Sequence, residues 1–430
     1  MMLTINNIGK IKDANIKLDG ITVIAGENNS GKSTVGKVLF AVVNSLYRSS
    51  EQILDQREAG IYNVFLQLSF MPQHLRLYDD FSLELDFGNE IVTLDLNKYR
   101  SDKPGLALEL TNLINTHSPK HIPSNARLVR AADHIIEKIS LPDEIIRERL
   151  VQGLLGIELH NQINNLYDIN AQGFIRLKHD DFNLSVTIEQ NAVVKLEFSQ
   201  QAVADVSAFY AGSPYLLDEL AANPYVRDWD ISAYARSHER HLLSFLYPGK
   251  KAKKSVADEI ISERRLADII DKLTVACPGE IKLDNGRIVY NENMSNNFFD
   301  LRNLSSGIKS FLTIKTLLLN NALKDGDILI LDEPEVHLHP RWQVVFAELL
   351  VLLQQKMGLR ILLSTHSSYF LQAIEVYSKK HGTSDKCKYY MAENVKDGAI
   401  ISDITDNIDK VFEKLLDILQ LLEDERYAND

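Results

Sequence analysis

Residues 26–34, GENNSGKST, match the pattern G-x-x-x-x-G-K-[ST] and directly follow an apolar run. The glycines at Gly26 and Gly31 allow backbone amides to wrap a phosphate without Cβ clashes, and the helix expected after them favours negative charge at its N-terminus. We expect Lys32 to reach the β- and γ-phosphates of a nucleotide and the Ser33 hydroxyl to coordinate Mg²⁺. The simpler interpretation, a glycine-rich turn before a helix, requires no ligand.

Two further apolar runs end in polar side chains that would complete such a site. The run DILILDEPE brings Asp332 and Glu333 to the carboxyl end of a buried strand, where open α/β sheets bind ligands. We expect Asp332 to hold the Mg²⁺ and Glu333 to orient or polarise an attacking water. The run ILLSTHS leads to His366, which we expect within reach of the γ-phosphate. The alternatives are a solvated acidic turn and a structural histidine.

These residues must be positioned by elements that alternate along the chain. Short strand patterns open the sequence, and from residue 303 helices at about 306–323 and 340–356 alternate with the two buried strands. This alternation predicts a mostly parallel sheet with flanking helices, joined to an antiparallel N-terminal β part. The intervening sequence predicts proline-broken helices, an antiparallel meander at 174–200 and a hairpin with Asn285-Gly286 at its turn.

The predicted organisation is an α/β head in two separated pieces with an inserted middle region. We expect residues 1–50 to form the first piece of the head and 301–395 to form the second. Residues 51–300 would be a helical and β insertion that packs partly on the head. Residues 396–430 would form a helical tail.

The order of the motifs is that of ABC-type ATPases. The phosphate loop is followed by LSSG at 304–307, the acidic strand and the histidine, and LSSG resembles the signature loop of that family, usually Leu-Ser-Gly-Gly-Gln. Here Ser306 replaces the first glycine and Ile308 stands at the glutamine position. The resemblance implies a P-loop ATPase head that dimerises around two ATP molecules, with Ser305 and Gly307 contacting the neighbour's phosphate. As a helix N-cap, the same stretch needs no ligand.

The resemblance assigns roles to individual residues. It implies catalysis by Glu333, His366 and Lys32, and Mg²⁺ ligation by Ser33 and Asp332. The residues implied to bind ATP are Gly26, Asn28, Asn29, Ser30, Gly31, Lys32, Ser33, Thr34, Ser305, Ser306 and Gly307. The candidates for the glutamine that often links nucleotide to insertion in this family are Gln52, Gln56, Gln67 and Gln73.

The segment EPEVHLHP, residues 333–340, points to a particular group within the ABC-type ATPases. With GENNSGKST and STHS, it resembles the OLD/RecF-like (AAA_15/AAA_21) group, especially stand-alone ATPase subunits of anti-phage systems such as Septu (also retron-linked) and PARIS. This implies a head-to-head dimer or larger homo-oligomer that responds to DNA or a phage-encoded trigger. His337 and His339, which alternate along this segment, could instead be metal ligands.

The effector of such a system is expected on a separate chain. The sequence after His366 shows no Toprim-like carboxylate cluster and no HNH-like cluster, so we expect a Toprim-like or HNH-like nuclease as partner. Two alternatives from other classes stay open. One is a RecF-like repair ATPase that binds duplex DNA, and the other is a nucleotide-switched binding module with negligible turnover.

Composition and charge limit the classes of protein to which this chain could belong. A net charge of −12 argues against a general nucleic-acid coat. One local basic strip comprises Lys250, Lys251, Lys253 and Lys254. The two cysteines, Cys277 and Cys387, form no metal or redox motif, and no apolar stretch is long enough to span a bilayer. We therefore expect a cytoplasmic protein without a membrane partner.

Overall fold

The structure is a computed structural model that describes residues 1–119, 122–180, 182–199, 206–222, 237–248, 255–292, 297–409 and 411–412. The basic strip at 250–254 and most of the predicted tail helix lie outside these residues. Within the described part, no helix has the length and apolar character needed to cross a membrane.

The helices and strands have the following bounds. The strands are β1 (Met2–Ile8), β2 (Ile11–Lys17), β3 (Ile21–Gly26), β4 (His74–Leu77), β5 (Ser82–Asp86), β6 (Ile91–Asp95), β7 (Gly173–His179), β8 (Phe182–Glu189), β9 (Ala192–Phe198), β10 (Ala208–Ala211), β11 (Gly279–Asp284), β12 (Arg287–Glu292), β13 (Phe298–Asp300), β14 (Ile328–Asp332), β15 (Arg360–Thr365), β16 (Cys387–Val395) and β17 (Gly398–Asp403). The helices are α1 (Lys32–Leu46), α2 (Ser49–Gln67), α3 (Lys103–His117), α4 (Asn125–Ser140), α5 (Asp143–Glu158), α6 (Leu216–Ala222), α7 (His238–Leu246), α8 (Val256–Ala276), α9 (Ser306–Leu319), α10 (Pro340–Met357) and α11 (Ser368–Lys380).

The described chain divides into two compact units. The smaller one is built on residues 48–150, and the larger one comprises residues 1–47 and the described residues from 151 onward. In the smaller unit, the antiparallel sheet β4-β5-β6 shares one apolar core with α2, α3 and α4. Pro104 lies in the first turn of α3, where a missing backbone N–H costs no helical hydrogen bond.

The larger unit is organised by one mixed sheet. Among the described residues, this sheet has eleven strands in the order β10-β14-β15-β3-β16-β17-β2-β1-β7-β8-β9. The strands from β10 to β16 in this order run parallel, and β2, β1, β7, β8 and β9 pair antiparallel. The predicted α/β fold with a parallel block and an antiparallel part is therefore confirmed.

Burial on both faces explains why the central strands are continuously apolar. Every residue of β3 is buried, and its side chains alternate between two cores. Ile24 packs in the core that contains α1, whereas Val23 packs in the core that contains α9, α10 and α11. This is the pattern expected of parallel strands covered by helices on both sides.

The structure divides the middle region differently from the sequence prediction. The meander at β7–β9 is antiparallel as predicted, but β7 pairs with β1, so that Leu177 lies opposite Leu3 in the large sheet. Ile175, Leu184 and Val186 share the core of α1. The separate unit is therefore narrower than 51–300, because strands distant in sequence extend the open edge of β1.

The predicted tail also differs from the structure at its start. Residues 398–403 form β17, which pairs antiparallel with β16 and parallel with β2. The hairpin at β11–β12 agrees with the prediction, since both Asn285 and Gly286 have positive φ at its turn. Local turn chemistry was thus readable from the sequence, whereas strand recruitment into the large sheet was not.

Two helical glycines give a matched stability test. A Cβ atom at Gly36 in α1 would lie 2.7 Å from Cε2 of Tyr210 and 2.9 Å from Cγ2 of Ile330, so Gly36→Ala should lower the free energy of unfolding by about 1–3 kcal/mol. No atom lies within 4 Å of the corresponding position at Gly153 in α5, so Gly153→Ala should raise it by about 0.5–1 kcal/mol. Urea unfolding checks both changes, and equal effects would contradict the packing seen at α1.

Candidate active site

The phosphate loop depends on backbone conformations that favour glycine. Gly26 ends β3 with φ of 152°, and a Cβ atom there would lie 2.3 Å from the carbonyl oxygen of Ala392. Gly31 is the N-cap of α1 with φ of 84°, and Asn29 also has a positive φ. The loop therefore turns sharply and leaves the N-terminus of α1 facing the space that it encloses, a favourable position for an anion.

Lys32, the first residue of α1, lies across the interior of this loop. Its side chain is buried, and Nζ donates hydrogen bonds to the carbonyl oxygens of Gly26 at 3.1 Å and Glu27 at 2.8 Å. Burial lowers the pKa of Lys32, while nearby carboxylates, with Glu333 the strongest, act in the opposite direction. The ammonium group is thus desolvated and positioned at the bottom of the loop that the sequence predicts to bind phosphate.

A cavity of about 280 Å³ opens beside the loop. Three lysines, Lys10, Lys32 and Lys37, line it, together with Glu158, Leu159, His160 and Gln162. Lys10 also donates a hydrogen bond from Nζ to the carbonyl oxygen of Asn29. Three lysines around glycine-flanked backbone amides are suited to binding a polyphosphate. The lysines and the amides supply hydrogen-bond donors and positive potential.

Asp332 ends β14 and accepts hydrogen bonds from two hydroxyl groups. Its Oδ2 accepts a hydrogen bond from the hydroxyl of Tyr210 at 2.8 Å, and its Oδ1 accepts one from Oγ of Ser364 at 2.5 Å. Burial raises the pKa of Tyr210, as does the adjacent charge of Asp332, so the phenol stays protonated and donates. The carboxylate is therefore fixed in orientation.

Glu333 and His366 meet at the ends of neighbouring strands. Glu333 Oε1 lies 2.7 Å from Nε2 of His366, which directly follows β15. The backbone of Glu333 has φ of 49°, a conformation that non-glycine residues rarely adopt, and its N–H donates to the carbonyl oxygen of Ser364 at 3.2 Å. Strained backbone of this kind is typical of residues whose side chain must be aimed at a reacting group.

The residues predicted to bind Mg²⁺ lie together. Ser33 and Asp332 line a second cavity, of about 320 Å³, and Glu333 lines both cavities. A hydroxyl and a carboxylate are the oxygen ligands that Mg²⁺ prefers, with water and substrate phosphate completing its octahedron. The chemistry of these donors therefore fits the predicted ion.

The signature stretch forms the N-terminus of α9, and residues further along this helix line the second cavity, namely Ser310, Thr313 and Ile314. Ser305 is the exposed N-cap of α9, and its Oγ accepts a hydrogen bond from the N–H of Ile308 at 3.4 Å. A Cβ atom at Gly307 would lie 3.3 Å from Cδ2 of Leu338, so α9 packs closely on the segment after β14. In the described part of the chain, Ser305, Ser306 and Gly307 line neither cavity.

The alternative metal site at His337 and His339 is not supported. Nδ1 of His339 accepts a hydrogen bond from the N–H of Arg341 and caps α10, while the ring of His337 packs edge-on against Tyr215. The described residues contain no group of three or more histidine, cysteine, aspartate or glutamate side chains that could hold a metal.

The sequence analysis missed several residues that support the site. They are the buried residues Glu158, Tyr210, Glu335 and Ser364. Ser364 interrupts an apolar strand, a signal that could have identified it. Tyr210 and Glu158 had no local signal, because they come from β10 and from the end of α5. The carboxyl oxygens of Glu158 accept from the backbone N–H of His238 and contact its ring, which lies 4.3 Å from the ring of Tyr210.

None of the candidate glutamines belongs to the larger unit. Gln52, Gln56, Gln67 and Gln73 belong to the smaller unit. The strand next to β14 is β10, and its carboxyl end continues into Gly212, Ser213 and Pro214, which line the second cavity. No glutamine therefore follows this strand directly.

Two family models match the chain. The AAA_21 model, described as AAA domain, putative AbiEii toxin, Type IV TA system, matches residues 94–372, and the AAA_23 model, described as AAA domain, matches residues 2–149. No curated protein matches the chain.

Solved structures of SMC heads are similar to it at low identity. The SMC head domain from Thermotoga maritima has 10% identity and a TM-score of 0.39, over 94% of this chain and 97% of that one. The SmcHead bound to the C-winged helix domain of ScpA has 10% identity and a TM-score of 0.42, over 94% and 97%. The Smc head domain with an extended coiled coil bound to the C-terminal domain of ScpA, from Pyrococcus furiosus, has 12% identity and a TM-score of 0.41, over 98% of both chains.

The hydrogen bond from Tyr210 to Asp332 can be tested by removing one oxygen atom. Tyr210→Phe should lower the free energy of unfolding by about 1–3 kcal/mol, because a half-buried carboxylate loses the donor that the buried Tyr210 supplies. Urea unfolding measures the change. In the control, Tyr167→Phe, the ring is 55% exposed and the change should stay within about 0.5 kcal/mol. Equal effects of the two substitutions would contradict the assigned bond.

Proposed function

We propose a function on the premise that the chain belongs to the AAA_21 family, described as AAA domain, putative AbiEii toxin, Type IV TA system. The chain therefore has an AAA/ABC-type ATPase domain, in agreement with the family resemblance of its motifs. Our proposal is that it binds ATP with Mg²⁺ and hydrolyses the γ-phosphate. A closer relationship to the OLD, Septu and PARIS ATPases is part of this proposal.

The observation that carries the proposal is the contact between Glu333 and His366 beside the phosphate loop. A carboxylate 2.7 Å from an imidazole at the carboxyl edge of the sheet can accept a proton from a water molecule. In our proposal, Glu333 orients the water that attacks the γ-phosphorus, and His366 contacts the γ-phosphate. The bond to the β,γ-bridging oxygen breaks, which leaves ADP and phosphate.

The phosphate loop supplies the binding part of the reaction. Lys32 Nζ bonds two loop carbonyls in the structure, and a phosphate offers the same donors an anionic acceptor, which makes stronger hydrogen bonds. Bound Mg²⁺ would offset charge on the β- and γ-phosphates. In our proposal Ser33 and Asp332 hold the ion, and the hydrogen bonds from Tyr210 and Ser364 to Asp332 support this.

We further propose that two copies assemble head to head around two ATP molecules. The N-terminus of α9, with its exposed N-cap Ser305, supports this, because its amides and the Ser305 hydroxyl can donate hydrogen bonds to a phosphate that approaches from another chain. Ser305, Ser306 and Gly307 line neither cavity of their own chain within the described residues, so contact with nucleotide would come from the partner.

ATP-dependent assembly would control a separate toxic effector in an anti-phage system. The family description, which names a putative toxin of a toxin–antitoxin system, is compatible with this role. The motif resemblance to defence ATPases supports it independently of that description. A gene for a Toprim-like or HNH-like protein directly beside this one would identify the effector.

Removal of the Lys32 ammonium group tests nucleotide binding. Lys32→Ala should weaken ATP binding by about 10–100-fold or more, because charge-assisted hydrogen bonds contribute about 1.5–3 kcal/mol. Isothermal titration with ATP and Mg²⁺ measures the affinity. The control is Lys356→Ala, since Lys356 lies on α10 and its contact is a 3.7 Å ion pair with Asp268. Parental affinity in Lys32→Ala would refute the assigned phosphate site.

Removal of the Glu333 carboxylate tests turnover and assembly. Glu333→Gln should retain ATP binding but lose about 10²–10⁴-fold in hydrolysis rate, because an amide cannot accept the proton. ATP should then accumulate between two heads, and light scattering with ATP and Mg²⁺ should show a stable dimer. Hydrolysis at the parental rate would refute the role of Glu333. A variant that binds ATP but stays monomeric would refute head-to-head assembly.

A further inference from the structure

Glu335 is a buried acid that the proposed reaction does not use. It lies two residues after Glu333, between β14 and α10, and is only 3% exposed. Its Oε1 accepts hydrogen bonds from Oγ1 of Thr365 at 2.5 Å and from the backbone N–H of His366 at 2.9 Å. The side chain therefore binds Thr365 and the backbone of His366, and so fixes the segment from which the His366 imidazole extends.

The other carboxyl oxygen of Glu335 has no such support. Oε2 is buried and has no hydrogen-bond partner in the described part of the chain. Burial raises the pKa of Glu335, and the charge of Glu333 adds to this effect, whereas the bonds from Thr365 and His366 oppose it. A buried acid with an unsatisfied oxygen is costly, so a purely structural role leaves its presence unexplained.

Further hydrogen bonds close a ring around the same two segments. The backbone N–H of Ser367 donates to Oγ1 of Thr365 at 3.0 Å, and Oγ of Ser367 donates to Oε1 of Gln343 at 2.7 Å. Nε2 of Gln343 then donates to the carbonyl oxygens of Glu335 at 3.3 Å and Leu338 at 3.1 Å. The segment from 335 to 343 and the loop from 365 to 367 are therefore fixed to each other.

Two glutamates thus contact one histidine at two places. Glu335 holds the backbone nitrogen of His366, and Glu333 lies 2.7 Å from its ring nitrogen Nε2. A shift of the His366 backbone would move the ring away from Glu333, and displacements of about 1 Å in a reacting geometry can lower rates by about 10²-fold.

We propose that Glu335 is a positioning residue, whose buried carboxylate holds the loop of His366 so that the imidazole meets Glu333. This inference rests on the proposed ATPase function for its effect on turnover. Glu335 acts on hydrolysis through His366 and does not touch the nucleotide. Removing it should therefore change the rate of hydrolysis and leave the affinity for ATP nearly unchanged.

The kinetic test is a cycle of variants made in the full chain. Glu335→Ala should lower kcat by about 10–100-fold while the ATP affinity stays within about 3-fold, because only positioning is lost. Glu335→Gln keeps an oxygen that can accept both hydrogen bonds, so its kcat should stay within about 5-fold of the parental value. The control is Glu348→Ala, which removes a glutamate bonded to Lys272 and Lys380 and should leave kcat unchanged.

The double variant separates positioning from general stabilisation. If Glu335 acts through His366, Glu335→Ala with His366→Ala should hydrolyse ATP no more slowly than His366→Ala alone, because residues of one unit are not additive. If the fold-losses in kcat of the two single variants multiplied in the double variant, the inference would be overturned. A parental kcat in Glu335→Ala would also overturn it. Thermal unfolding of every variant shows whether a lower hydrolysis rate arises only because less of the protein is folded.

A second measurement does not depend on turnover. In protein with ¹³C-labelled histidine rings, the signal of His366 is identified by its absence from His366→Ala. This signal should move in Glu335→Ala and stay in place in Glu348→Ala. An unmoved signal in Glu335→Ala would overturn the inference. Absence of ATP hydrolysis in the parental protein would refute the proposed function, and the histidine signal would still decide whether Glu335 positions His366.

Discussion

The site depends on three parallel strands that lie side by side in the order β14-β15-β3. Parallel strands end at the same edge of a sheet, so Asp332, His366 and the loop that begins at Gly26 are brought together from regions far apart in the chain. The strands can run without interruption because helices cover both faces, with α1 on one side and α9, α10 and α11 on the other. The contact between Glu333 and His366 follows directly from this arrangement.

Assembling these groups concentrates charge in a partly desolvated space. Lys32 shares it with three carboxyl groups, those of Asp332, Glu333 and Glu335, and burial lowers the pKa of Lys32 and raises that of Glu335. Specific hydrogen bonds hold Lys32, Asp332 and Glu335, and Glu333 keeps a left-handed backbone conformation. Such a site is organised before any ligand arrives, which is what electrostatic stabilisation of a phosphoryl transfer requires.

The geometry also connects the signature helix with the histidine. Gly307 at the start of α9 would bring a Cβ atom within 3.4 Å of the carbonyl oxygen of His337 and 3.3 Å of Leu338. The carbonyl oxygen of Leu338 accepts a hydrogen bond from Gln343, which also bonds Ser367 beside His366. A continuous set of packed and hydrogen-bonded groups therefore joins the surface proposed to meet a second chain to the residues proposed to act on ATP.

The sequence by itself determined the local features: the phosphate loop, the acidic strand end, the histidine, the N-cap at Ser305 and the hairpin turn at Asn285-Gly286. Each is encoded within a few residues, because turns, caps and strand ends depend on local backbone preferences. Only the tertiary structure decided that β7–β9 extend the sheet of β1, that Tyr210 holds Asp332 and that Glu335 holds the backbone of His366. These contacts join residues far apart in the chain, and the pairing of distant segments is set by packing and burial, which local patterns do not specify.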